Sequence, residues 1–153
     1  MTAALRILHW LCRILIAAVF LYSGYVKARA TLQFAIAITG YKLVPEAFIL
    51  PLATYLPWLE IALGLGVLIG WKMRYFAAAV SALLVFFIAI LTLTYLRGIE
   101  ADCGCFGFGD RISPRTILRD SLILIPALYL VVEGRFRAGR LQRSALVENP
   151  PSL

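Results

Sequence analysis

Four apolar segments, each long enough to cross a lipid bilayer, constrain this chain more than any other feature of its sequence. They occupy residues 7–26, 47–70, 75–95 and 114–132. About 20 apolar residues in an α-helix span the hydrocarbon core of a bilayer. Backbone polar groups in lipid must be hydrogen-bonded within the protein, so each segment is predicted to be a helix. The sequence therefore predicts an all-α fold, an integral membrane four-helix bundle.

The composition agrees with residence in a membrane. Hydrophobic residue types make up 62% of the chain and charged types 15%, whereas charged residues are roughly one quarter of a soluble domain. The formal charge of +7 does not indicate nucleic-acid binding, because no basic stripe carries interleaved aromatic residues. Membrane lipid is the expected surrounding, and nucleic acid is not an expected partner.

The beginning of the chain has two interpretations. Arg6 precedes the first apolar segment, as a basic residue does in a signal peptide. That segment lacks a clear small-residue cleavage site and is long enough to span, so we expect a retained helix. The apolar run 31–43 that follows is too short to span and ends before Pro45. We predict that it is an interfacial or re-entrant segment.

We interpret residues 1–134 as one transmembrane domain, with a polar loop at 97–113 before the last helix. Ser113 and Pro114 favour the start of that helix, since serine suits the N-cap and proline the first helical position. Residues 135–153 are predicted to form a disordered basic tail.

Basic residues are nearly balanced on the two sides of the predicted bundle. Four arginines within residues 135–143 favour a cytoplasmic C-terminus. With four spans, both termini would then be cytoplasmic. We predict a multi-pass protein of the bacterial inner membrane, with the polar loop in the periplasm.

The polar loop carries two cysteines, Cys103 and Cys105, separated only by Gly104. Such a pair can form a disulfide in an oxidising compartment, and closing so short a ring strains it. Strained disulfides are labile, which favours thiol–disulfide exchange over stapling. Two blander interpretations stay open, a glycine turn with small residues and a structural disulfide.

Charged neighbours act on these thiols in opposite directions. Asp102 disfavours a thiolate, whereas Arg111, Arg115 and the N-terminal end of the last helix favour one. Metal binding is the alternative use of Cys103 and Cys105, because two thiolates can hold a soft ion such as Cu(I). A closed zinc site would need two more ligands, and the remaining Cys and His lie in the first segment.

Charged residues inside the predicted spans are costly in lipid and mark candidate functional positions. Glu60 and Arg13 lie at the same predicted depth, roughly 20 Å from the loop side, and are predicted to pair. Lys27 and Asp120 lie nearer the loop and are predicted to form a second pair. These groups would handle protons or contact a quinone headgroup, or would only neutralise one another.

Other polar residues form two predicted groups. Tyr25, with Tyr22 and Tyr41, is expected to make an aromatic rim at the loop side, and Tyr25 could also contact a quinone. Spacings of three and four residues place Arg6, His9 and Arg13 on one face of the first helix, in a polar stripe toward the cytoplasmic end. Cys12 is expected to be an inert core residue.

Several short motifs resemble the methylamine-utilisation MauE family of DoxX-like membrane proteins. The most specific is the Cys-Gly-Cys-Phe-Gly segment, which includes Phe106 and Gly107. The others are LYSGYVK at 21–27, YKLVP at 41–45, LPWLE at 56–60 and the pair Arg119-Asp120.

The resemblance implies a four-helix membrane protein linked to thiol and disulfide redox, working with a periplasmic thioredoxin-like partner. Founding members of the family support maturation of a disulfide-rich subunit of methylamine dehydrogenase. This implies a redox setting for the present chain.

The preferred hypothesis is a thiol–disulfide relay. Cys103 and Cys105 would exchange with the thioredoxin-like protein, and the bundle would pass electrons to a quinone or position the partner. With a quinone as acceptor the protein would be an oxidoreductase; no covalently bound cofactor is expected. The two rivals are a transporter or binding protein for a soft metal or thiol-reactive compound and a non-catalytic membrane assembly factor.

Overall fold

The computed structural model describes residues 3–70, 72–99, 101–103 and 111–148, with side chains described up to residue 136. Every regular element within these ranges is a helix, which confirms the predicted all-α class. The helices are α1 (Ala3–Arg29), α2 (Thr31–Gly40), α3 (Glu46–Ile69), α4 (Met73–Leu96) and α5 (Pro114–Glu148).

Three of the described helices, α1, α3 and α4, are long and apolar enough to cross a membrane. Between 22% and 39% of the apolar window in each is buried inside the protein, so most of their apolar surface faces outward, as it should in lipid. α5 is not among these three, because Arg115, Arg119 and Asp120 precede its apolar middle and Glu133 and Arg135 follow it closely. A fourth span along α5 therefore stays a prediction.

The bounds of the helices differ from the predicted ones mainly in α5. This helix continues to Glu148, so residues 135–148, predicted as a disordered tail, are helical instead. Alanine, leucine and arginine recur in this stretch, and all three have high helix propensity. The run 31–43, predicted to be an interfacial or re-entrant segment, contains the separate short helix α2, which ends at Gly40.

α1 packs antiparallel against α3 through two glycines. A Cβ added at Gly24 would lie 2.7 Å from the Pro57 carbonyl oxygen, and one at Gly64 would lie 3.1 Å from the Leu21 side chain. Small residues let two helix backbones approach this closely. The approach fixes the register, with residue 24 of α1 opposite residues 57–61 of α3.

The buried apolar residues form three clusters. The central cluster joins α1, α3, α4 and α5, and α5 packs along α4. A second cluster joins α2 to α3 around Phe34 and Ala53. The third lies where α4 ends and α5 begins, and it contains Tyr41, Leu91, Ala101 and Cys103. We refer to this end of the bundle as the loop end.

Candidate functional site

The polar loop between α4 and α5 is tied together at its base. Asp102 and Arg111 form an isolated antiparallel bridge, and the Ile112 N–H donates to the Ala101 carbonyl at 2.9 Å. The bridge holds the two arms of the loop side by side at the loop end. Four of the predicted site residues lie outside the described residues: Gly104, Cys105, Phe106 and Gly107.

Cys103 is anchored in the protein interior. Its exposed fraction is 2%, and the Tyr41 hydroxyl donates to its carbonyl oxygen at 2.6 Å. Tyr41 follows α2, so the short helix presents a group that fixes the cysteine's backbone. Tyr22 and Tyr25, the other members of the predicted rim, are each 54% exposed on α1, and Tyr25 accepts a hydrogen bond from Arg29.

Arg119, on α5, lies beside the buried cysteine. Its Nη2 is 3.9 Å from Cys103 Sγ, while its Nε donates to Asp120 Oδ1 at 3.2 Å. From the sequence alone, Arg119 was identified only as part of a family motif, and no contact with Cys103 was predicted. Arg111 and Arg115, predicted to support the cysteines, are both exposed.

Deeper in the bundle, Lys27 and Glu60 form a fully buried ion pair. Lys27 Nζ donates to Glu60 Oε1 at 2.6 Å, and the two side chains are 1% and 3% exposed. The Ser23 hydroxyl donates to the other carboxylate oxygen at 3.1 Å. The lysine ammonium also lies 5.1 Å and 4.7 Å from the ring centroids of Phe34 and Phe87, a distance that permits cation–π attraction.

The predicted pair of Glu60 with Arg13 is therefore wrong. Close packing at Gly24 places Glu60 opposite the last turns of α1, whereas Arg13 lies opposite the end of α3. Side chains of a helix tilt toward its N-terminus, so Lys27 reaches back to Glu60. Arg13 Nε instead donates to the Val67 carbonyl at 2.8 Å, where a cation suits the C-terminal end of α3.

Asp120 lines the same cavity as the buried ion pair. The cavity measures about 30 Å³ and is bordered by Ser23, Lys27, Glu60 and Asp120 together with apolar side chains of α1, α4 and α5. This volume accommodates one or two water molecules. The predicted pairing of Lys27 with Asp120 is wrong, because Lys27 bonds to Glu60 and Asp120 to Arg119, but the two residues do share a cavity.

A second polar contact joins α1 and α5 at the opposite end of the bundle. His9 Nδ1 contacts the Glu133 carboxylate, and both side chains are largely buried. His9 and Arg13 lie at the end predicted for the polar stripe, and Arg6 is exposed. Glu133 was not predicted as a site residue, because the last helix was predicted to end at residue 132. Cys12 is partly buried against the central apolar cluster, as expected of a core residue.

Metal ligands do not gather in the described part of the chain. No group of three or more His, Cys, Asp or Glu side chains there could hold a metal ion. Because Cys105 lies outside those residues, the soft-metal alternative for Cys103 and Cys105 stays untested.

Comparison with known proteins places the chain in a family. A family model described as "Methylamine utilisation protein MauE" matches residues 5–133. The chain belongs to the MauE family. The matched range contains the loop, the buried ion pair and the Arg119-Asp120 contact, so the whole candidate site lies within the family's domain.

Curated MauE proteins are similar over most of this chain. It is 30% identical to the methylamine utilization protein MauE of Paracoccus denitrificans over 122 residues, which cover 78% of this chain and 66% of the relative. It is 32% identical to that of Methylorubrum extorquens over 107 residues, covering 68% and 58%. The chain thus spans about two thirds, or less, of the length of these relatives. No solved structure matches it.

These comparisons confirm the family expected from the sequence motifs. Family membership and the three candidate spans together establish a membrane protein.

Proposed function

We propose that this MauE family protein performs thiol–disulfide exchange at the membrane, with Cys103 and Cys105 as the redox pair. The contact that carries the proposal is that of the Arg119 guanidinium with Cys103 Sγ, at 3.9 Å. The thiolate is the nucleophile in exchange, and a cation beside the sulfur stabilises it. A purely structural disulfide has no use for such a neighbour.

Rigid support of the cysteine agrees with this role. Tyr41 fixes the Cys103 carbonyl, and the Asp102–Arg111 bridge closes the loop base. Groups that react with a partner protein work best when the surrounding packing already holds them in position. The loop end thus supplies both a stabilised sulfur and a fixed backbone.

The exchange moves two electrons in two steps. A partner thiolate attacks the Cys103–Cys105 disulfide and forms a mixed disulfide, and the partner's second thiolate then displaces the loop cysteine. The products are a partner disulfide and a reduced cysteine pair. The reverse sequence oxidises the loop, and the reduction potentials of the two pairs decide the direction.

The names of the relatives support the biological setting of the proposal. They are named methylamine utilization proteins, and the role we propose for this chain is to support the maturation of periplasmic proteins such as methylamine dehydrogenase. The partner in this proposal is a periplasmic thioredoxin-like protein. The orientation has both termini in the cytoplasm and the loop in the periplasm, in a bacterial inner membrane.

A quinone does not fit the buried cavity. Small-molecule sites typically measure about 300–1,000 Å³, and the cavity beside Lys27 and Glu60 measures about 30 Å³. We therefore derive no quinone step through these residues. The oxidant or reductant in the proposal is the partner's own thiol–disulfide pair.

The proposal is tested by titrating the cysteines of the full chain in detergent micelles with glutathione redox buffers. Alkylation and mass spectrometry then count the free thiols at each ratio. We expect Cys103 and Cys105 to titrate together as one two-electron couple, which either Cys103→Ser or Cys105→Ser abolishes.

Cys12→Ser is the matched control and should leave the couple unchanged. Two loop thiols that keep one redox state across every glutathione ratio would contradict the proposal. Full activity of the Cys103→Ser/Cys105→Ser double variant in cells would instead favour a non-catalytic assembly factor.

A further inference from the structure

We propose that Cys103 is the buried cysteine whose thiolate leaves in the exchange, that Arg119 stabilises this thiolate, and that Asp120 holds the guanidinium in place. The inference rests on the proposed function and assigns a role to each participant in the exchange.

Burial decides which sulfur a partner can attack. Cys103 is 2% exposed and lies in the apolar cluster with Tyr41, Leu91 and Ala101. An incoming thiolate must reach the sulfur that it attacks, and access is one determinant of exchange rates. In the proposed exchange the attack therefore falls on the other sulfur of the disulfide, that of Cys105. The new bond joins the partner's sulfur to Cys105, the Cys103–Cys105 bond breaks, and its electron pair leaves on Cys103 Sγ.

The reverse reaction uses the same groups. The Cys103 thiolate attacks a mixed disulfide between Cys105 and the partner, the loop disulfide forms, and the partner's sulfur leaves as a thiolate. Negative charge thus develops or disappears on Cys103 Sγ in both directions. A cation at this sulfur acts on the step whichever way electrons flow.

Arg119 is positioned to contact two negatively charged groups at once, the Asp120 carboxylate and the Cys103 thiolate. A guanidinium presents donors in a rigid planar fork, and here Nε is used for Asp120 while Nη2 points toward Cys103 Sγ. Asp120 is 3% exposed, so its carboxylate has little freedom to move. It is a positioning residue, since it acts on the sulfur only through Arg119.

Stabilising the Cys103 thiolate has a measurable consequence. It favours the reduced form of the pair and makes the disulfide more oxidising, as in oxidants whose reduced form is stabilised. It also increases the thiolate fraction of the reduced pair at neutral pH. A residue that served only to stabilise the fold would change neither quantity.

The first experiment measures the equilibrium constant of the loop couple against glutathione, with Cys12→Ser in every chain. We expect Arg119→Gln to shift the couple toward the disulfide by about tenfold, which corresponds to about 30 mV for two electrons. Arg119→Lys keeps the charge without the fork and should shift it less. The pH at which the couple's reactivity is half-maximal should rise in Arg119→Gln.

Arg115→Gln is the matched control. Arg115 lies one turn earlier on α5 and is exposed, so solvent and salt screen the charge that this variant removes. We expect the equilibrium constant of its cysteine couple to stay within threefold of the parent value.

An unchanged equilibrium constant in folded Arg119→Gln, or an equal shift in Arg115→Gln, would overturn the role of Arg119. If Arg119→Gln does not fold, the test uses Arg119→Lys and Arg115→Gln instead. An Arg119→Lys chain whose redox equilibrium and pH profile equal those of the parent would contradict the contribution of the guanidinium's planar set of donors.

The second experiment tests the assignment of Cys103 as the leaving sulfur. Oxidised glutathione should form a mixed disulfide with the Cys103→Ser chain at least tenfold faster than with the Cys105→Ser chain. The reverse order would overturn the assignment. A parent chain without any reversible couple would contradict the proposed function itself, whereas a normal parental couple with unaffected variants contradicts only this inference.

Discussion

At the scale of single residues, the Lys27–Glu60 pair stands out because two full charges are buried together in an apolar bundle. Removing charges from water is costly, and the mutual attraction offsets the cost only where geometry and further hydrogen bonds are good. Ser23 and the Phe34 and Phe87 rings supply such additional contacts. The pair joins the end of α1 to the middle of α3 and so helps to fix their register.

We predict that losing one partner is far worse than losing both. Lys27→Met leaves the Glu60 carboxylate buried without its cation, and should lower the free energy of unfolding by about 3–5 kcal/mol. The double variant Lys27→Met/Glu60→Leu should recover most of this loss. Unfolding in mixed micelles, followed by tryptophan fluorescence, measures both effects. A double variant as unstable as Lys27→Met would argue against simple charge compensation.

At the scale of elements, the contact between α1 and α3 depends on how closely two backbones approach. Gly24 faces the Pro57 carbonyl and Gly64 faces Leu21. In lipid there is little hydrophobic drive between helices, so close packing of this kind is a main source of their association. The contact also places Lys27 within reach of Glu60.

Gly24→Val should therefore separate the two helices. The added side chain meets the Pro57 carbonyl oxygen, and overpacking of this kind costs about 1–3 kcal/mol. Ala18→Val, on the exposed side of α1, is the matched control and should change stability little. Thermal unfolding in detergent compares the two, and equal midpoints would contradict the close contact.

The sequence predicted the elements better than the contacts between them. Apolar length alone indicated α1, α3 and α4, because lipid permits few structures other than spanning helices. The pairing of Glu60 was wrong because depth was counted from predicted helix ends, and the register depends on Gly24 and Gly64 instead. The contact of Arg119 with Cys103 could not be predicted, since it depends on how α5 enters the bundle after the loop.

At the scale of the whole molecule, polar contacts concentrate in different places along the bundle. Cys103 and Arg119 lie at the loop end, whereas His9 and Glu133 join α1 to α5 at the other. The central apolar cluster separates them. The two ends can therefore be altered independently.

Labelling in cells tests which end faces the periplasm. With the loop in the periplasm, a membrane-impermeant maleimide should label reduced Cys105 in intact cells. Lys72→Cys, in the turn before α4, should label only after the membrane is permeabilised. Both chains carry Cys12→Ser, and the Lys72→Cys chain also lacks the loop cysteines. Labelling of Lys72→Cys in intact cells would contradict the predicted orientation.

The hydrogen bond from Tyr41 to the Cys103 carbonyl also has a consequence for biosynthesis. The two residues are 62 positions apart in the chain, so Tyr41 leaves the ribosome well before its acceptor. The nascent chain must insert α3 and α4 before this bond can form. Until then nothing from α2 covers the cysteine, and oxidants could reach its sulfur directly. Completion of the membrane domain therefore converts the Cys103 thiol from an accessible, reactive group into a buried one.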